Sequence, residues 1–279
     1  VYNLGARTVE MGGDTVTDLK ISKPISDFRL WNPGAPARYM AEVTVKSGRD
    51  RDVYFQPFGI RKIEVSREGF FINGKRTEIK GVCQHHDLGA LGAALNVSAL
   101  RRQLEMLRDM GCNAIRTSHN PPAPELLDLA DKMGLIVQDE AFDAWRNGKR
   151  KWDYNKLFER WHKADLEAFV KRDRNHPSVV MWGIFSRLWM RGDDVTPYIR
   201  RLNETARTMD PSRPTVACSD QNGDINFITD LIVWRQDVGW RKGTTDDVTV
   251  WRDQLQKGWS HLRSGICYGG SGFIGHKSY

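Results

Sequence analysis

From about residue 65 onward, short apolar runs alternate with amphipathic stretches at a repeat of about 30 residues. No other feature restricts the fold as much. Strand then helix, repeated, argues for βα units and a parallel sheet. The strand candidates are Lys80 to Cys83, Asn113 to Arg116, Leu135 to Val137, Val179 to Trp182, Thr215 to Ala217, Leu231 to Trp234 and a weak last one at Ile266 to Tyr268. Between them lie helical patterns. One puts Leu100, Leu104 and Leu107 on one face, with Ser98 as its cap and Gly111 as its stop. A second opens at Pro124, carries Leu126, Leu127 and Ala130, and stops at Gly134. Others cover residues 157–173, the Ile199, Leu202 and Ala206 stretch, and the Val248, Trp251 and Leu255 stretch. Seven countable strands favour a TIM-type (β/α)8 barrel over a doubly wound sheet. No G-x-G-x-x-G follows any strand, so the dinucleotide fingerprint is missing.

Residues 1–64 read differently. Short β-rich runs, clearest at Tyr39 to Val45 and Val53 to Phe58, are broken by Gly, Pro and Asp, with a turn cluster at Asn32 to Pro36. This is β-sandwich material with too few strands for a complete sandwich. The expected organisation is a partial sandwich over 1–64 and a barrel over 65–279.

A net charge of +7 reads as a solvated basic surface, because no Lys/Arg block of nucleic-acid type occurs. No apolar run approaches a membrane span and no signal peptide opens the chain, which is compatible with the cytoplasm. None of the four cysteines forms a C-x-x-C pair, so zinc and redox motifs are not expected.

In such barrels the chemistry follows each strand's C-terminal end. Those positions hold Gln84-His85-His86-Asp87, Arg116 to Pro121, Asp139 to Trp145, Phe185 to Trp189, Cys218 to Asn222, Arg235-Gln236-Asp237 and Tyr268 to Gly272. Here a resemblance becomes specific. Phe58 to Val65 and Phe71 to Lys75 resemble the passage from immunoglobulin-like domain to barrel in glycoside hydrolase family 2, the β-galactosidase and β-glucuronidase family. Lys80 to Asp87 is similar to that family's first barrel strand, Ile115 to Pro121 to its Arg-x-Ser-His-Asn/Tyr-Pro signature, and Asp139-Glu140 to its Asp-Glu after strand three. His176 to Ile184 resembles the approach to its acid/base glutamate.

The resemblance implies hydrolysis of terminal β-linked sugars by a retaining mechanism with two glutamates, a nucleophile and an acid/base. The residues depart from that pattern at both places. Where the family runs on into Gly-Asn-Glu, this chain has Phe185-Ser186-Arg187, and a guanidinium does not release a proton near neutral pH. The nucleophile would follow the last strand, yet no Glu or Asp occurs after Asp253. The strand-six end also differs, reading Trp234-Arg235-Gln236-Asp237. The departures cluster at strand ends, as in a replaced active site. The chain is therefore expected to be inactive in the family reaction. Two alternatives stay open: a rebuilt site doing general-base chemistry, and a non-catalytic binding scaffold for a small molecule or carbohydrate.

The candidate site residues are Glu140, His119 and the altered position Arg187 for chemistry, and Arg116, His85, Asn120, Asp139, Trp145, Trp189, Trp234 and Asp237 for ligand binding. Glu140 is the best remaining general base, or else it holds Arg116 or Arg187 in an ion pair. Arg116 can bind a ligand or pair with Asp139 or Glu140. The tryptophans can stack on sugar faces or pack in the core. A metal triad of His85, His119 and Glu140 has no local spacing signal, so no metal or cofactor is expected. The family resemblance also implies a further β-domain and an eighth barrel unit that these residues do not match. Unpaired barrel edges and self-association are the corresponding expectation.

Overall fold

Glycine, proline and tryptophan set the joints of this chain, and the strands and helices hang between them. The computed structural model describes residues 1–66, 68–186, 195–219, 224–234, 238–239 and 242–258. Residues 1–30 form no helix or strand and are almost wholly exposed. Order begins at Trp31, which is fully buried and donates its indole N–H to the Asp131 carbonyl at 3.0 Å. It opens β1 (Trp31–Asn32), which pairs with β2 (Ala35–Pro36), so the turn cluster is a small hairpin. A longer hairpin follows, β3 (Tyr39–Ser47) on β4 (Asp50–Phe58), antiparallel along its whole length.

Next comes a three-stranded antiparallel meander of β5 (Ile63–Ser66), β6 (Gly69–Ile72) and β7 (Lys75–Arg76). A division at residue 64 falls inside β5. The two-residue alternation of β6 buries Phe70 and Ile72 against Ala114, Ile136, Val180, Val216 and Leu231. Those partners lie at the starts of barrel strands, so the meander caps the N-terminal end of the barrel.

The barrel strands are β8 (Gly81–Gln84), β9 (Ala114–Thr117), β10 (Ile136–Glu140), β11 (Val179–Ser186), β12 (Thr215–Ser219) and β13 (Leu231–Trp234). They form one six-stranded sheet in sequence order, every pair parallel. Between them run α1 (Val97–Asp109), α2 (Pro124–Met133), α3 (Asn155–Asp173) and α4 (Thr196–Met209), and α5 (Asp247–Gly258) follows the last. This is the parallel βα sheet of a partial TIM barrel. The strand expected at Ile266 to Tyr268 lies outside the described residues.

Two cores result. Ile115, Val137, Val179 and Trp182 point outward and pack on Leu104, Leu127, Phe169 and Leu202 of the helices. Ala114, Ile136, Val180 and Cys218 point inward. Local signals explain the helix ends. The expected cap Ser98 is inside α1. Asn96 is the true cap, because it sits in extended backbone and its side chain accepts from the Ala99 N–H at 2.9 Å. Pro124 opens α2, and Gly134 closes it in the left-handed region at φ 74°. A β-carbon at Gly134 would lie 2.0 Å from the Pro33 carbonyl oxygen, so close approach and backbone conformation both require glycine.

Candidate functional site

Strand register delivers the site. On β9 and β10, alternate residues face the barrel interior: Ala114 and Arg116 on one, Ile136, Gln138 and Glu140 on the other. Arg116 and Glu140 thus arrive together at the C-terminal ends of neighbouring strands. Both Arg116 Nη2, at 2.6 Å, and Nε, at 3.2 Å, donate to Glu140 Oε1. The side chains of both are essentially inaccessible to solvent. His119, just beyond β9 and preceded by a cis Ser118–His119 peptide, brings Nδ1 to 2.7 Å from Glu140 Oε2. With Glu140 ionised, its oxygen accepts and His119 Nδ1 is the donor of this hydrogen bond; Arg116 Nη2 lies 3.1 Å from the same Nδ1.

The electrostatics follow from these contacts. Burial by itself raises the Glu140 pKa, but the Arg116 charge and the His119 hydrogen bond outweigh it and hold the carboxyl below its ordinary value. Burial works against the Arg116 charge, and the neighbouring Cys218, Glu140 and Cys83 overcome it, so its pKa is raised. Cys83 Sγ accepts from Arg116 Nη1 at 3.5 Å. His85 packs edge-on to His119 with ring centres 5.7 Å apart. Burial and His119 lower its pKa, which favours the neutral imidazole.

Two further residues make room for this cluster. Thr117 Oγ1 accepts from the Glu140 N–H at 2.9 Å and donates to Asp139 Oδ1 at 3.1 Å, tying β9 to β10. Gly183, which faces Glu140 across the β10–β11 pair, has no β-carbon. One built there would lie 2.9 Å from Glu140 Cγ. Both residues lie inside stretches that carry the family resemblance, Ile115 to Pro121 and His176 to Ile184, and neither is among the candidate residues; a glycine inside an apolar strand is the signal that could have pointed to Gly183.

The structure does not bring every candidate to this cluster. Asp139 is fully buried but faces the helix layer. Burial and the Asp173 carboxylate at the end of α3 raise its pKa well above the ordinary value. Arg172 holds that Asp173 with two hydrogen bonds. Trp145 is buried with its face stacked on Phe158 at 5.1 Å and its edge toward Phe185, so its ring is occupied by protein. Trp182 is core, its indole N–H donating to Asp210 at 3.1 Å. Asn120 is exposed beside the cluster. Arg187, Trp189 and Asp237 lie outside the described residues, as does the side chain of Trp234. Among the described residues, the His/Asp group close enough to share a cation is Asp128, Asp131 and His176, on the helix side of the sheet, and not the His85, His119 and Glu140 set.

A parallel βα barrel with interlocked polar side chains at its strand C-termini is the architecture of enzymes and binding proteins that take small polar molecules at that end. Comparison makes this specific. Residues 63–261 match the family model for the TIM barrel domain of glycosyl hydrolases family 2, and the chain belongs to that family. It is 54% identical over 178 residues to the β-galactosidase BoGH2A of Bacteroides ovatus, which covers 63% of this chain and 21% of that protein. It is 34% identical over 279 residues to a β-glucuronidase of Bacteroides fragilis, covering 97% of this chain and 39% of that protein. Among solved structures, the β-D-glucuronidase of Dictyoglomus thermophilum superposes with a TM-score of 0.72 at 29% identity, over 86% of this chain and 44% of that one. The chain thus spans less than half the length of these relatives.

Proposed function

We propose that this chain keeps the sugar-binding part of a family 2 barrel mouth and does not perform retaining hydrolysis of terminal β-linked sugars. The named relatives are a β-galactosidase and a β-glucuronidase, and Arg116, His119 and Glu140 lie in the stretches of this chain that resemble the family's motifs. Within the mouth, the buried carboxylate Glu140 is bound on both oxygens by Arg116 and His119, which argues against its standing in for a missing acid/base. A carboxylate held ionised in this way is a poor proton donor and a weak base. Retaining hydrolysis needs two carboxyl groups about 5–5.5 Å apart across the scissile bond. One observation carries the reading: at the position that resembles the acid/base this chain has Arg187, and the stretch Ile266 to Gly272, which the resemblance assigns to the nucleophile, holds no carboxylate.

The same ion pair weighs against a rebuilt enzyme that uses Glu140 as its general base. It favours a non-catalytic carbohydrate-binding mouth, with Arg116 and His119 ordered by Glu140. The test is turnover and binding on one preparation. Purified protein should release no phenol from aryl β-galactosides or aryl β-glucuronides, and Arg187→Glu alone should not restore release. Turnover of either substrate that disappears on Glu140→Gln would overturn the proposal.

A further inference from the structure

A cleft of about 720 Å³ opens at the opposite, N-terminal end of the barrel, between the β3–β4 hairpin and the loops that lead into β11 and β12. Its walls carry four cationic side chains, Arg61, Lys62, Arg174 and Arg213, and no acidic one. Phe58 and Pro177 supply apolar surface beside them.

The positive charge there is only partly answered by protein. Arg61 donates to the Pro177 and Val179 carbonyls at 2.8 and 2.5 Å, and no carboxylate bonds it among the described residues. Burial and the neighbouring Arg213 charge both lower its pKa, while the Asp210 and Asp131 charges oppose them. Those two carboxylates are engaged elsewhere. Asp210 binds Arg213 and the Trp182 indole, and Asp131 binds His176 and the Ser178 N–H. Lys62 pairs with Glu64 at the exposed rim. Arg174 is exposed, and its side chain has no carboxylate partner among the described residues. Two guanidiniums side by side in a partly dry cleft repel each other, and an anion that bridges them removes that repulsion. Planar guanidinium forks match the geometry of carboxylate and phosphate oxygens.

We infer that this cleft is a second binding site, separate from the mouth, for a small oxyanion: a carboxylate or phosphate group contacted by Arg61, Arg174 and Lys62 with Arg213 behind them. The inference is independent of how the mouth is read.

The test is thermal melting and calorimetric titration with sodium phosphate and with sodium citrate, each against sodium chloride at equal ionic strength. Saturable protection by at least one of the two is expected beyond the chloride control. Protection by citrate alone would assign the site to carboxylates, by phosphate alone to phosphate groups. The exposed pair Lys62→Ala/Arg174→Ala should weaken binding by about tenfold or more, since hydrogen bonds to charged groups are lost, while leaving the anion-free melting temperature nearly unchanged. No protection beyond chloride, as when an acidic protein segment is the true occupant, would overturn the inference. So would full protection retained in the double variant.

Discussion

The two ends of the barrel both gather charge, and they use it differently. At the mouth, one arginine, one glutamate and one histidine satisfy each other at 2.6 and 2.7 Å. At the floor, charges grip backbone. Arg213 donates to the Val179, Arg174 and His176 carbonyls as well as to Asp210. Asp131 accepts from the Ser178 N–H and from His176, while its own carbonyl receives Trp31. On the proposed reading, the mouth cluster orders side chains for a ligand. The floor network orders chain, fixing where β11 and β12 begin and where the N-terminal hairpins dock. Side chains that hold main chain in place should matter more to stability, and side chains that hold each other should matter more to pH.

The largest expected effect therefore lies at the floor. Arg213→Met strands a buried Asp210 and three carbonyls, and should destabilise the fold by about 4 kcal/mol, the usual scale for breaking a buried charge pair. Urea unfolding would measure it. A loss below about 1 kcal/mol would mean that the floor is held by packing alone.

At the mouth, Glu140→Gln should cost about 3 kcal/mol near neutral pH, because Arg116 is left buried without a counter-charge. This cost should depend on pH. A carboxyl whose folded pKa lies below its unfolded value contributes stability above the unfolded pKa and loses it as pH falls through the folded one. The gap between wild type and variant should thus close in acid, below the ordinary glutamate range. An equal gap at neutral and acid pH would show that hydrogen-bond shape, and not charge, holds Arg116.

The adjacent residue should behave in the opposite sense. Asp139 has a raised pKa from burial and from Asp173, so whatever stability its protonated form contributes is present in acid and lost as pH rises through the folded value. Asp139→Asn supplies a neutral group at every pH. It should stabilise the protein by about 1 kcal/mol near neutral pH and flatten the melting-temperature profile. A destabilised variant would mean that the Asp139 charge is needed, and would overturn this reading of the pair.

Much of the mouth was legible because it is local. Strand period two places Arg116 and Glu140 on the same side once the strands are recognised, and the Arg116 to Pro121 motif fixes the register. The start of α2 at Pro124 and its stop at Gly134 were legible for the same reason. The same alternation sends Asp139 to the face opposite Glu140, so its place among the ligand-binding candidates overlooked the strand period; what no spacing shows is its partner Asp173, on a helix more than 30 residues away. The floor was invisible. Arg61, Asp131, His176 and Arg213 come from four separate segments, and no spacing rule links an arginine to carbonyls of distant residues. The meander's role was missed likewise, because Phe70 and Ile72 read only as the stretch leading into the barrel until their burial under it is seen.

The smallest effect sits between the two ends. Gln138 lies on β10, one inward position below Glu140 and level with Arg116 of β9. It is 2% exposed, and neither its amide nitrogen nor its amide oxygen has a hydrogen-bond partner among the described residues. An unbonded buried amide carries a desolvation penalty that a methionine of nearly the same shape does not. Gln138→Met should therefore raise stability by about 1 kcal/mol, with no change in the pH profile that Glu140 and Asp139 set. If the variant is instead destabilised, the amide is bridged by internal water, and the polar character of the mouth reaches one layer deeper into the barrel than its side-chain contacts indicate.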